Sequence, residues 1–122
     1  MNRDAFERIV EEAINDLPDA FRQKLDNVEV VVEDWPDPHT MRVAGVRYPE
    51  QLLGLYHGVP QTVRSSHYGM VLPDKISIYR QPILKRCRSE EQVRQVTQRV
   101  ILHEIAHHFG IGDDRLREIG AY

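Results

Sequence analysis

Cysteine is almost missing from this sequence. Cys87 is the one thiol in 122 residues, so no disulfide can form within the chain. A domain this small must then be held by its core or by another tie, such as a metal. Long apolar runs are missing too. The densest hydrophobic stretch is the short segment 28–32, far below the roughly 18 apolar residues that a membrane-crossing helix needs. An excess of one charge is also missing: 19 acidic against 16 basic residues leave a formal charge of -3. That balance excludes the basic footprint of a dedicated nucleic-acid binder. Charged residues Arg3, Asp4, Glu7 and Arg8 occupy the place where an export signal would be apolar, so a cytoplasmic protein without membrane contacts is expected. There is no internal repeat, low-complexity tract or linker. The chain is shorter than the prior of about 150 residues per domain, so residues 1–122 are expected to form a single domain. A content of 41% hydrophobic and 29% charged residues is that of an ordinary packed, soluble fold.

Hydrophobic spacing supplies the elements. Phe6, Ile9, Val10, Ala13, Ile14 and Leu17 recur at three- and four-residue steps, which predicts an amphipathic helix over 4–17. Pro18 opens a second, short helix reaching about Leu25, with Phe21 and Leu25 on one face. Asp26-Asn27 is turn chemistry, and the valines of 28–32 predict the first strand. Segment 33–49 lacks a clean period and reads as a loop, with 41–46 open between helix and strand. Residues 52–56 predict a second strand interrupted by Gly54, and 75–80 a third, well-alternating one. Whether that third strand lies at an edge of the sheet or inside it stays open. Ser89 followed three residues later by Gln92 is a capping-box signal for a helix starting at Glu90. It can run uninterrupted to Gly110, and a last short helix is expected over 114–119.

The chemistry lies in that long helix. Residues 103–113 read H-E-x-x-H-x-x-G-x-x-D, a pattern expected by chance in roughly 1 of 10,000 chains of this composition. At 100° per residue His103 and His107 share one face, about 5–6 Å apart at Cβ, so both imidazoles can reach one ion. Glu104 falls beside them, where it can act as a general base on water activated by the metal. Gly110 can take the positive φ that ends the helix and turns the chain back. Asp113 then arrives as a third ligand, with Asp113 as helix cap and Asp114 as ligand the weaker alternative. Two imidazoles and one carboxylate, with a coordination position left for water, suit catalytic zinc and not calcium or magnesium. His108 lies off the metal face. Val93, Val96 and Val100 share the face of the two histidines, which predicts that the ligand face continues an inward stripe. A second stripe of Ile101, Leu102, Ile105 and Phe109 is expected to be covered by the last helix.

With these residues in view, the chain resembles the minimal zincin-like metallopeptidases of bacteria. The likeness also includes 52–56, 58–60, 72–74, 78–80, 82–84 and 115–118. The resemblance implies a compact α/β (α+β) fold with a small mixed sheet on the active-site helix, zinc held by His103, His107 and Asp113, and peptidase activity. Nine residues follow Asp113, none of them methionine, so neither the methionine turn nor the second subdomain of larger zincins is expected, and few subsites follow. His67, Tyr68, Tyr79 and Arg115 are the candidates for stabilising an oxyanion. Cys87 is expected to be a partly buried thiol.

The expected function is zinc-dependent cleavage of peptide bonds in a peptide or protein substrate, with Glu104 as base. The alternative is a zinc-stabilised interaction or regulatory module with little or no proteolysis.

Overall fold

The computed structural model describes residues 1–58 and 73–118. The element order is helix α1 (Arg3–Asn15), helix α2 (Asp19–Lys24), strand β1 (Val28–Glu33), helix α3 (Pro38–Ala44), a 3-10 turn (Pro49–Gln51), strand β2 (Gly54–His57), strand β3 (Asp74–Tyr79), helix α4 (Arg80–Lys85), helix α5 (Glu90–His108) and helix α6 (Asp113–Glu118). Among the described residues no helix is long and apolar enough to cross a membrane.

The three strands form one mixed sheet in the order β1-β3-β2, with β1 parallel and β2 antiparallel to β3. Val30 lies opposite Ile76 and Val32 opposite Ile78, while Gly54 faces Ile78 and Tyr56 faces Ile76. Since side chains alternate across a strand, these residues make one surface of the sheet, and α5 crosses it. Phe6, Val10, Phe21, Ile76, Ile78, Ile83, Ile101, Ile105 and Leu116 are the centre of the core that fills the space between sheet and helices. The last helix enters that core through Leu116. The sheet is thus the mixed, helix-backed one expected for an α+β domain.

Local chemistry explains most boundaries. Asn2 caps α1 by accepting from the Ala5 N–H at 2.8 Å, and Asp37 caps α3 by accepting from the Thr40 N–H at 2.7 Å. The open segment 41–46 is therefore helical up to Ala44, and it stops at Gly45, whose φ is 74°. Ser89 caps α5, accepting from the Gln92 N–H at 3.2 Å. The Gln92 side chain accepts from the Arg88 N–H at 2.6 Å, one residue before the cap, so the reciprocal half of the expected box is shifted by one.

Two expectations, both on α5, need correction, and two further points are ones the sequence leaves undecided. The segment after β3, for which the sequence carries no expectation, forms helix α4, with Pro82 in its first turn, where proline is tolerated. The place of the third strand, open in the sequence, is the middle of the sheet among the described residues, with β1 and β2 on either side. The inward stripe of α5 runs through Val93, Thr97, Ile101, Ile105 and Leu102, whereas Val96 and Val100 are only partly buried. Phe109 does not join the covered stripe; it is exposed, with the Lys24 ammonium 4.5 Å from its ring centre.

Gly54 decides how close the sheet comes to α5. A Cβ on it would lie 2.6 Å from Val100 Cγ1 and 3.0 Å from the Ser77 carbonyl oxygen. Gly54→Ala is therefore expected to cost about 1–3 kcal/mol, the usual range for overpacking, and Val100→Ala to recover part of the loss. Chemical denaturation of the two single variants and the double variant checks this.

Candidate metal centre and active-site cleft

His103 and His107 lie one turn apart on α5. Their ring centres are 6.3 Å apart and the ring planes differ by 17°. His103 is partly buried, with Nε2 shielded from solvent; His107 is exposed at the mouth of the cleft. The donor chemistry suits zinc: two imidazoles close enough for a shared ion, on a rigid helix, with one ring anchored inside and the other reachable from water. Among the described residues no three His, Cys, Asp or Glu side chains converge, and the Asp113 side chain lies outside what the structure describes.

The backbone that leads to Asp113 is described, and it turns as glycine dictates. The Ile111 N–H donates to the Ala106 carbonyl at 2.7 Å and the Gly110 N–H to the His107 carbonyl at 3.3 Å. With Phe109 as cap residue and Gly110 at φ 70°, these two bonds make a Schellman motif. No atom lies within 4 Å of where a Gly110 Cβ would be, so the requirement is conformational and not steric. Gly110→Ala is expected to cost about 1–2 kcal/mol, the penalty of a left-handed residue with a Cβ, measurable as a lowered denaturation midpoint. Asp113 opens α6 and Asp114 is exposed.

Glu104 points toward the sheet. Its Oε1 accepts a hydrogen bond from the Tyr56 backbone N–H at 3.0 Å. The ladder explains why that N–H is available. The Tyr79 N–H donates to the Leu53 carbonyl, and with Gly54 opposite Ile78 the alternation of antiparallel bonding turns the backbone groups of Leu55 and His57 toward β3. Those of Gly54 and Tyr56 face away from β3. Burial pushes the Glu104 carboxyl up from the usual carboxylate range, opposed by the Tyr56 hydrogen bond and by the neighbouring His107. A carboxylate moved toward neutrality is a more effective proton acceptor.

Around these groups lies an open cleft of about 420 Å³ lined by Ala44, Leu52, Gly54, Leu55, Tyr56, Glu104, His107 and His108. His108 stacks on the Tyr56 ring, with centres 3.9 Å apart and planes 15° from parallel. The Tyr56 hydroxyl donates to Asp74 Oδ2 at 2.7 Å, and His108 Nε2 stands 3.9 Å from the same oxygen. Tyr56 and Asp74 were not legible as site residues. The faint signal is positional: His108 follows Glu104 by four residues, and so projects on the same side of the helix.

The oxyanion candidates divide. His67 and Tyr68 lie outside the described residues. Tyr79 belongs to the opposite surface of the sheet, sharing the face of Ser77, and is 1% exposed. Burial raises its phenol, while hydrogen bonds with Ser77 and Thr40 oppose the rise; it does not reach the cleft. Arg115 pairs with Glu118 at 3.0 Å on the exposed side of α6 and does not line the cleft. Cys87 is partly buried, as expected, and burial raises its thiol, which keeps it protonated and poorly reactive.

A comparison with curated proteins found no match. The family model described as zincin-like metallopeptidase matches residues 25–121, a span holding the whole sheet, the long helix and the turn after it. Members of that family generally bind zinc and act as peptidases, in agreement with the donor chemistry of α5. By the extent of that match, the chain belongs to the zincin-like metallopeptidase family.

Proposed function

We propose that the chain is a zinc-dependent peptidase whose base is Glu104 and whose metal ligands are His103, His107 and Asp113. The observation that carries this reading is the meeting of Glu104 with the outward edge of β2, beside two imidazoles that project from the same helix. When bound, zinc supplies Lewis acidity toward a carbonyl and lowers the pKa of water. The chain supplies the rest. Glu104 takes the proton of the attacking water and returns it to the nitrogen of the departing amine, so the proton balance closes without another acid. The side of β2 that faces away from β3 borders the cleft, and an extended peptide would lie along it. Leu52, Leu55 and Ala44 give that peptide an apolar floor.

A peptide-library digest with and without chelator, run beside melting curves of apo and zinc-loaded protein, tests this reading. Chelator-sensitive cleavage supports it. Absence of cleavage together with a large chelator-induced loss of stability would favour a zinc-stabilised interaction module.

A further inference from the structure

Tyr56 touches the long helix twice, at residues one turn apart. Its backbone N–H binds Glu104 and its ring lies flat on His108. A third tie runs from its hydroxyl to Asp74 at the start of β3, and Asp74 in turn stands near His108. The contacts close into a ring linking the outer strand, the middle strand and the end of the active helix.

Packing alone is a poor explanation of this ring. Tyr56 is only partly buried, and the His108 side chain is 38% exposed. Stacked rings contribute about 0.5–1.5 kcal/mol beyond their buried area, a modest gain beside the fully buried core of isoleucines and phenylalanines. What the ring does fix is a distance. At the His57 end of β2 the stack on His108 ties the strand to α5, beside the Tyr56 N–H that meets Glu104. Gly54 holds the other end of β2 close against Val100, and the stack on His108 does so beside the motif.

We propose that Tyr56, His108 and Asp74 are positioning residues: they hold the edge of β2 at a set separation from α5, and through the Tyr56 N–H they set the aim of the Glu104 carboxylate. This inference rests on the reading of Glu104 as base. The side chains act through the main chain, because the group that contacts Glu104 is a backbone N–H that no substitution of Tyr56 by another L-residue other than proline removes. Misplacement of a reacting group by about 1 Å can cost about 100-fold in rate, so the ring can matter to turnover well beyond its share of stability.

The test uses the zinc-loaded full chain and three variants: His108→Ala, His108→Phe, and Tyr56→Phe. Each is assayed for zinc content, for kcat and KM on a peptide from the library digest, and for hydrogen exchange of the Tyr56 amide by NMR. His108→Ala is expected to keep its zinc, to lower kcat by about 10–100-fold with KM changed less than about threefold, and to speed exchange of the Tyr56 amide. His108→Phe, which restores a ring face, is expected to recover most of both losses. Tyr56→Phe keeps the stack and loses the bond to Asp74, and should fall between. Unchanged kcat and unchanged exchange in His108→Ala would overturn the proposal. So would a loss of kcat with the amide still protected, because the imidazole would then act directly and not through Tyr56. If the wild-type chain cleaves no peptide, the peptidase reading falls, and the exchange measured on the same samples still decides whether the stack fixes the Tyr56 N–H.

Discussion

Glu104→Gln is expected to bind zinc as tightly as the parent and to lose about 100- to 10,000-fold of its turnover, the range that a positioned general base contributes. Two features make the outcome sharp. The amide of Gln is nearly the same shape as the carboxylate, and its oxygen can still accept from the Tyr56 N–H that now holds Glu104 Oε1 at 3.0 Å. The cleft should therefore keep its form. What disappears is the capacity to accept a proton, which an amide lacks near neutrality. Removal of a partly buried carboxylate also removes a desolvation cost, the cause that raises the Glu104 carboxyl, so folding stability should be unchanged or slightly higher. Zinc titration, kcat and a denaturation curve on one preparation separate these effects. A Gln variant that turned over normally would remove Glu104 from the chemistry and leave the metal assignment standing.

His103→Ala and His107→Ala are expected to act on the metal itself. Loss of a group that merely orients a ligand typically lowers affinity about 10–100-fold, and loss of a ligand should exceed that. The stability consequence follows by mass action. Zinc at 100 times its Kd stabilises the native chain by about 2.7 kcal/mol, and domains of this size move by roughly 3–5 °C per kcal/mol. The parent should thus melt about 10 °C lower when zinc is stripped. Neither histidine variant should respond to zinc addition or removal at the concentration that saturates the parent. The two positions differ in what the substitution does to the apo fold. His107 is exposed, so His107→Ala should leave apo stability almost unchanged, whereas His103 is partly buried and its replacement should carry a packing cost as well. Melting curves of the apo forms tell the two apart.

The sequence was most readable where one physical rule acted alone. The Ser89 cap, the start of α5 at Glu90 and the left-handed Gly110 were all legible, because capping and positive φ are local properties of a few residues. The buried face of α5 was legible in part. Val93, Ile101, Leu102 and Ile105 are buried as their spacing indicated, whereas Thr97 is buried and Val96 and Val100 only partly so, and no local pattern encodes that choice. The place of the third strand was undecidable in the same way: alternation gives a strand its two faces and says nothing of its neighbours. Among the described residues, partners on both sides make β3 the middle strand. Within the site, His103, Glu104 and His107 were marked by spacing on one helix. Tyr56 and Asp74 come from strands distant in sequence, and meet His108 only because the sheet order brings them there. Helix α4 drew no expectation from the sequence; its six residues are too few for a periodic signal.

One measurement bears on the central assignment more directly than any other: the zinc stoichiometry and coordination of the purified chain, by elemental analysis and X-ray absorption, for the parent and for the His103→Ala, His107→Ala double variant. The expected result is one zinc per parent chain, with two nitrogen donors of imidazole type and the remaining donors oxygen, and no zinc in the double variant. Zinc bound equally by both proteins, or a parent site without imidazole donors, would contradict the assignment of these two histidines as the grip of a metallopeptidase.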